Sequence, residues 1–458
     1  MLPSSLILPT ALASFVLALP PAASSQVPTS NPVARGSEFI VSVEQGWQQE
    51  WGKVAVAPDG ERFAVAWNAS VSTPIWVRFF SMNGVAYTGD VLANPTNNAG
   101  SQDEPMCAVD ADGNYFVCWS DRGNTNPPND GSGMGVFGNV FDEDGVALGD
   151  DFQISETWVN SQWEPMPAAL PNGGWVVAWN GDNDGNAYLR FFDTDGTPRT
   201  GDILINTYMN NGQTEAEVNV SPDGTVLAVY ADFGGNVFPF TGTNLFARRF
   251  TEAGVPLDSQ EWPVHAELTD YDQLEPRMAA SKQGFVMAWM DEGNDGSGFG
   301  IYARQFGLTG AQGPLLPVNV VTSGDQRLPE IAADETGNFI VTWEDRSTGT
   351  GQIHARAYRA DGTPMGIGFI VSEDMSGAWD YVRPEISMSR DGRDVVIAYS
   401  GKLGGINKAE EVFARTYKWP HSSGRGHRPS GRGQRSGPAG APVSGTGSGP
   451  KGKVISLP

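Results

Sequence analysis

A motif of aromatic, arginine and aromatic at alternate positions occurs in seven copies along 458 residues, six of them with arginine, and no other feature constrains the fold as tightly. The central slot holds Arg78, Asn139, Arg190, Arg248, Arg304, Arg356 and Arg415, at steps of 61, 51, 58, 56, 52 and 59 residues. Alternation at period two puts the two aromatics and the arginine on one face of a β-strand. A second register keeps the same period. Gln49, Gln102, Gln162, Gln213, Gln273 and Gln326, with Tyr381 in the seventh copy, each stand eleven residues before a turn glycine. A Trp or Tyr five to seven residues beyond that glycine closes runs such as N-F-I-V-T-W. Short elements such as F-Q-I-S (152–155) and F-I-V-S (369–372) complete each period.

Each period therefore holds four strand candidates: Q-x-E-P-x-h-A, F-V-V-x-W, h-x-A-R-x-F and F-x-V-S. Four strands per repeat, seven times over, predict an all-β, seven-bladed β-propeller of four-stranded blades. The last repeat stops at Y-K-W-P (417–420) without its fourth strand, and a spare E-F-I-V-S (38–42) precedes the first. The N-terminal strand at 38–42 is thus expected to complete the last blade and close the ring, removing edges an open sheet would expose.

The propeller is expected over residues 38–419. Residues 1–25 read as a secretory signal peptide, with the apolar run L-I-L-P-T-A-L-A-S-F-V-L-A-L before small residues suited to cleavage. Residues 26–37 read as a linker. Elsewhere nothing approaches the roughly 18 apolar residues of a transmembrane helix. The expectation is a monomer that is secreted or held at the cell surface or in the periplasm, with no membrane span in the mature chain.

Net charge is −24, unevenly placed. Six of the 29 basic residues lie beyond Pro420 without one acidic residue, so 23 basic face 53 acidic residues before it, a net of −30. Phosphate backbones need the opposite sign, which excludes nucleic acid as a partner of the globular part. The basic Gly/Ser/Pro-rich tail, 420–458, lacks apolar residues for a core and is expected to be disordered.

On these repeats and ends the chain resembles bacterial secreted and cell-surface propeller proteins of the broad integrin-like (FG-GAP-like) and sialidase-like superfamily, over about 38–419. That resemblance implies architecture and leaves function open. S-P-D-G-T (221–225) and S-R-D-G-R (389–393) lack the spacing and closing Trp of a sialidase Asp-box. No copy carries the D-x-D-x-D-G run of calcium-binding integrin repeats.

Chemistry has few candidates. The repeated arginine is read as structural, a buried guanidinium pairing with carboxylates or backbone carbonyls of its own or the neighbouring blade. The four histidines, His265, His354, His421 and His427, have no partner at zinc-ligand or triad spacing. Glu104, Glu164, Glu215 and Glu275 follow their glutamines by two and open onto the central channel. They are either acid/base carboxylates of a glycoside hydrolase or lyase, or partners of the repeat arginines. Trp47, Trp158, Trp163, Tyr271, Trp379 and Tyr381 gather on the face with longer loops, either as a platform for sugar rings or as packing at the channel mouth. No cofactor is expected. Calcium is the one metal the acidic loops suit, with Asp182 and Asp184 in G-D-N-D-G-N and a second loop at 291–298. Cys107 and Cys118 flank Asp112-Gly113; a two-residue hairpin there sets them opposite, as a disulfide or as two buried thiols. The leading functional expectation is a non-catalytic binding module for a glycan or an extracellular protein. The alternatives are the enzyme just described and a structural or adhesion protein of the envelope.

Overall fold

The computed structural model of the chain describes residues 28, 30–43, 48–69, 74–96, 101–122, 133–156, 160–181, 185–209, 212–233, 242–265, 267, 270–373, 379–403 and 410–421. The signal-peptide reading, nearly all of the predicted tail, and Trp47, Trp158, Asp182 and Asp184 lie outside the described residues.

Seven antiparallel sheets form the blades of a β-propeller. The first blade runs Gln49–Val56, Arg62–Ala69, Ile75–Ser81 and Val91–Leu92, and the next five repeat that order. The innermost strands are Gln49–Val56, Gln102–Val109, Gln162–Ala169, Gln213–Val220, Gln273–Ser281, Gln326–Ala333 and Trp379–Met388. Second strands such as Phe339–Asp345 are buried at every position, because each blade is covered on both faces by its neighbours. That explains their unbroken apolar runs. The core is divided accordingly into seven clusters, each spanning two adjacent blades. One of them joins Val396, Ala398 and Val412 of the last blade to Val54, Val65 and Trp67 of the first.

Ring closure follows the sequence expectation. Phe39–Ile40 pairs with the last strand, Glu410–Lys418, in the register Phe39 opposite Ala414. Pairing also begins earlier than expected: Val33–Ala34, inside the segment read as linker, pairs with Lys418 and Tyr417. Glu38 accepts hydrogen bonds from the hydroxyls of Tyr381 and Tyr399, and Arg35 pairs with Asp394. The Trp419 indole N–H donates to the Ser30 carbonyl at 2.8 Å.

The repeated arginine staples blades together through backbone carbonyls. Arg190 Nε donates to Thr200 O (2.8 Å) in its own blade and Nη1 to Ile154 O (2.9 Å) at the end of the preceding blade's fourth strand. Arg78, Arg248, Arg356 and Arg415 repeat both bonds, and Arg304 repeats the inter-blade one to Val264 O. Asn139 keeps it with a shorter arm, Nδ2 donating to Ala93 O at 3.0 Å. At Arg78, Arg190, Arg248, Arg356 and Arg415 the guanidinium also lies over the next aromatic of the motif.

The disulfide expectation is corrected. The hairpin after Val109 has a three-residue loop: Asp110 N–H donates to Asn114 O, and Gly113, at φ 89°, donates to Asp110 O. The extra residue slips the register by one, so Cys107 faces Val117 and Cys118 faces Met106. In a strand pair that slip sends the two side chains to opposite faces. Both cysteines are free thiols, Cys107 packed toward the first blade and Cys118 toward the third.

Candidate functional site

Every innermost strand carries the same irregularity two residues after its first conserved position. There the ladder shifts by one residue, and the backbone enters the left-handed region at Trp51, Glu104, Glu164, Glu215, Glu275, Leu328 and Arg383, with φ from 49° to 59°. Non-glycine residues pay steric strain in that region. Seven repetitions show that the fold imposes it. Proline follows at Pro105, Pro165, Pro276, Pro329 and Pro384, where a bulge needs no ladder N–H. The bulge re-aims these seven side chains to the narrow mouth of the channel, around a cavity of about 100 Å³.

The four predicted glutamates stand together in this ring, on consecutive blades. They do not pair with the repeat arginines, which bond carbonyls as described above and, at Arg78, Arg304 and Arg415, pair with Asp90, Glu267 and Glu373. Instead Glu104 accepts from Ser120 Oγ (2.8 Å) and the Glu164 N–H (3.3 Å). Glu215 accepts from the Glu275 N–H at 2.6 Å, so a carboxyl of one blade caps the bulge of the next. Glu164 accepts from Asn180 Nδ2 (2.9 Å), and Glu275 from Arg277 Nη2 (3.0 Å). Burial, then the neighbouring glutamates, pushes the Glu164 carboxyl up to about 8. Burial and Glu275 do the same for Glu215, also to about 8, and burial raises Glu104. Like charges held away from water cannot all ionise together. At neutral pH Glu164 and Glu215 thus keep protons and can donate as well as accept. Across from them the Arg383 guanidinium lies over the Trp51 indole at 4.3 Å.

A second ring lies two residues deeper: Lys53, Met106, Met166, Glu217, Arg277, Glu330 and Glu385. Lys53 reaches Glu385 (2.6 Å) and Glu330 (3.4 Å), and Arg277 reaches Glu330 (2.9 Å). These residues form a charged belt between the narrow mouth and a wider chamber of about 680 Å³ at the opposite end. The sequence reading missed this belt. Its signal was present: the position four after the conserved glutamine or tyrosine is charged in five of seven copies.

Among the described residues, the predicted aromatics Trp379 and Tyr381 stack on each other at 6.3 Å as packing of the last blade. Tyr381, 1% exposed, is buried with its hydroxyl on Glu38. Trp379 packs edge-on against Phe413 at 5.2 Å, as core of the last blade. Trp163 is half-buried at its blade's inner strand, and Tyr271 is exposed. In the acidic loop at 291–298, Asp291 accepts from Gln273 and Asn294, and Asp295 from Ser297 and Asn319. No cluster of metal-ligating side chains occurs among the described residues. His265 and His354 are structural: His265 Nε2 accepts from the Leu245 N–H, and His354 packs on Trp343. No helix among the described residues is long and apolar enough to cross a membrane.

No protein-family model and no curated protein matches the sequence. Solved propellers do match in shape. A polysaccharide lyase, Uly1, aligns at TM-score 0.54 and 8% identity, over 85% of this chain and all of its own. A Dyadobacter fermentans protein of unknown function aligns at 0.51 and 11%, over 85% and 99%. An α-L-arabinofuranosidase from Fusarium graminearum aligns at 0.47 and 12%, over 84% and 98%. At such identities the likeness establishes the fold alone.

Proposed function

We propose that this protein is an exported binding module that holds a carbohydrate across the narrow mouth of its channel. One observation carries the reading: a strained bulge, repeated in all seven blades, delivers Trp51, Arg383 and four consecutive glutamates to a single opening. Neutral carboxyls beside acceptors suit hydroxyls, which both donate and accept. Trp51, one face of which Arg383 covers, supplies the rest of its indole as aromatic surface of the kind sugars pack on. An opening of about 100 Å³ admits a hydroxymethyl group, with the sugar ring lying over it. Net charge of −24 disfavours polyanionic glycans, so neutral or amino sugars are the class to test. The polysaccharide lyase of like fold makes polysaccharide the first ligand class to screen. Export rests on the apolar run at 6–19.

The enzyme reading has one specific observation behind it. Glu164 and Glu215, both pushed up to about 8, are carboxyls at the opening that keep a proton at neutral pH, as a general acid requires. The test is a glycan array on the full chain, then titration of any neutral oligosaccharide hit against wild type, Trp51→Ala and Glu215→Gln. Binding that falls roughly tenfold or more in both variants supports the reading. Absence of any saturable glycan binding ends it. Release of reducing or unsaturated ends from the bound polysaccharide, lost in Glu164→Gln, would replace binding with catalysis.

A further inference from the structure

The wide chamber at the opposite end has the size of a small-molecule site, about 680 Å³. Its width has a sequence cause. Six residues after the conserved glutamine or tyrosine, the seven inner strands carry Ala55, Ala108, Ala168, Asn219, Ala279, Ala332 and Ser387, all lining the chamber. Small side chains at one level of every blade leave a ring-shaped space that larger residues would fill.

The floor of that chamber is the charged belt, and its charges do not balance. Glu217, Glu330 and Glu385 face Lys53 and Arg277. Both cations are committed, Lys53 to Glu385 and Glu330, Arg277 to Glu330 and Glu275. Glu217 makes no ion pair, although Arg277 faces it. It is 8% exposed, one oxygen accepts only a long bond from the Met278 N–H (3.4 Å), and the other, Oε2, has no partner. A buried carboxyl oxygen left unpaired costs free energy that a ligand can recover. Oε2 itself is tucked below the chamber surface. The last torsion of a glutamate is broad, however, so a turn of the carboxyl presents that oxygen to the chamber.

We infer that this chamber is a site for a small organic ammonium, whose charged head pairs with Glu217 while its apolar body lies along the ring of small residues. The site is separate from the carbohydrate reading at the other mouth and does not depend on it. An ammonium supplies the donors that Oε2 lacks and the missing positive charge of the belt. The charged groups facing Glu217 are Arg277, Glu330 and Glu385, each from a different blade. Burial first, with Glu330 and Glu385 adding and Arg277 opposing, pushes Glu217 up to about 8. Because the ionised carboxylate is the partner, ammonium binding releases a proton and tightens as pH rises from 6 to 8.

The experiment is titration of the full chain with n-butylammonium chloride, with n-butanol as the uncharged body of equal length. Saturable binding of the ammonium at least about tenfold tighter than the alcohol is expected, the difference a charge-assisted hydrogen bond makes. Glu217→Gln should remove that preference while the thermal midpoint holds or rises. If Glu217→Gln does not fold, the pH series on wild type decides: ammonium affinity independent of pH between 6 and 8 overturns the proposal. So does equal affinity for alcohol and ammonium, a preference that survives in folded Glu217→Gln, or no saturable ammonium binding at all.

Discussion

The arginine ring on the third strands and the glutamate ring on the first strands both run around the whole propeller, yet they repeat differently. In the outer ring the bonding repeats: each guanidinium, or Asn139 in its place, reaches a carbonyl of the preceding blade. In the inner ring the backbone repeats, with positive φ in every blade, while the side chain varies among Trp, Glu, Leu and Arg. In the outer ring the shared contact, a donor to a carbonyl of the preceding blade, joins protein to protein. Carboxyls crowded at an opening, with Glu164 and Glu215 raised to about 8, leave unsatisfied capacity. A repeat that conserves the contact is architecture; one that conserves the backbone and varies the side chain is where a site can be built.

The largest effect that tests this contrast is at closure. Removing residues 1–43 strips both N-terminal strands from the last blade and should abolish cooperative unfolding, whereas removing 422–458 should leave the thermal midpoint unchanged. Similar outcomes for the two truncations would break the closed-ring account.

Next in size is the outer ring. Arg190→Ala leaves the Thr200 and Ile154 carbonyls without donors and should cost about 3 kcal/mol or more in urea unfolding. Glu215→Gln keeps the shape and an acceptor for the Glu275 N–H, and should change stability by less than about 1 kcal/mol at pH 7. The reverse order would make the inner ring the structural one.

The pH dependence sharpens the inner ring further. Glu164 and Glu215 have folded values near 8, above their unfolded range. The folded state therefore binds more protons, and their contribution is full below about pH 4.3 and is lost as pH rises through about 8. Asp258 and Glu261, held low by hydrogen bonds despite burial, act oppositely, contributing above their unfolded values and losing that in acid. The thermal midpoint of Glu164→Gln/Glu215→Gln should thus decline less between pH 5 and 8 than wild type. An unchanged slope would show that the ring glutamates titrate normally.

The smallest expected effect is none. Reductant should leave the thermal midpoint unaltered, and thiol titration of the unfolded, unreduced chain should find two thiols.

Sequence alone determined the number of blades, their order and the closure of the ring. Period-two alternation, turn glycines and a spare first strand are local signals, and a repeat multiplies each of them seven times. It also placed Glu104, Glu164, Glu215 and Glu275 at the channel mouth, because a position counted from the glutamine maps to one height in every blade. Tertiary structure decided what those positions do. The bulge at Glu104 and its equivalents arises from ladder pairing with the second strand, which no single segment encodes. It turned the glutamates toward one another and away from the arginines. The loop at 111–113 has one residue more than Asp112-Gly113 signals, and that residue separated Cys107 from Cys118. For Tyr381 and Trp379 the sequence left platform and packing open; Glu38, distant in sequence, against Tyr381 and Phe413 against Trp379 make them packing. The charge imbalance around Glu217 needed five inner strands to meet at one level. Backbone pattern is a property of neighbours in sequence, whereas burial and charge balance belong to neighbours in space.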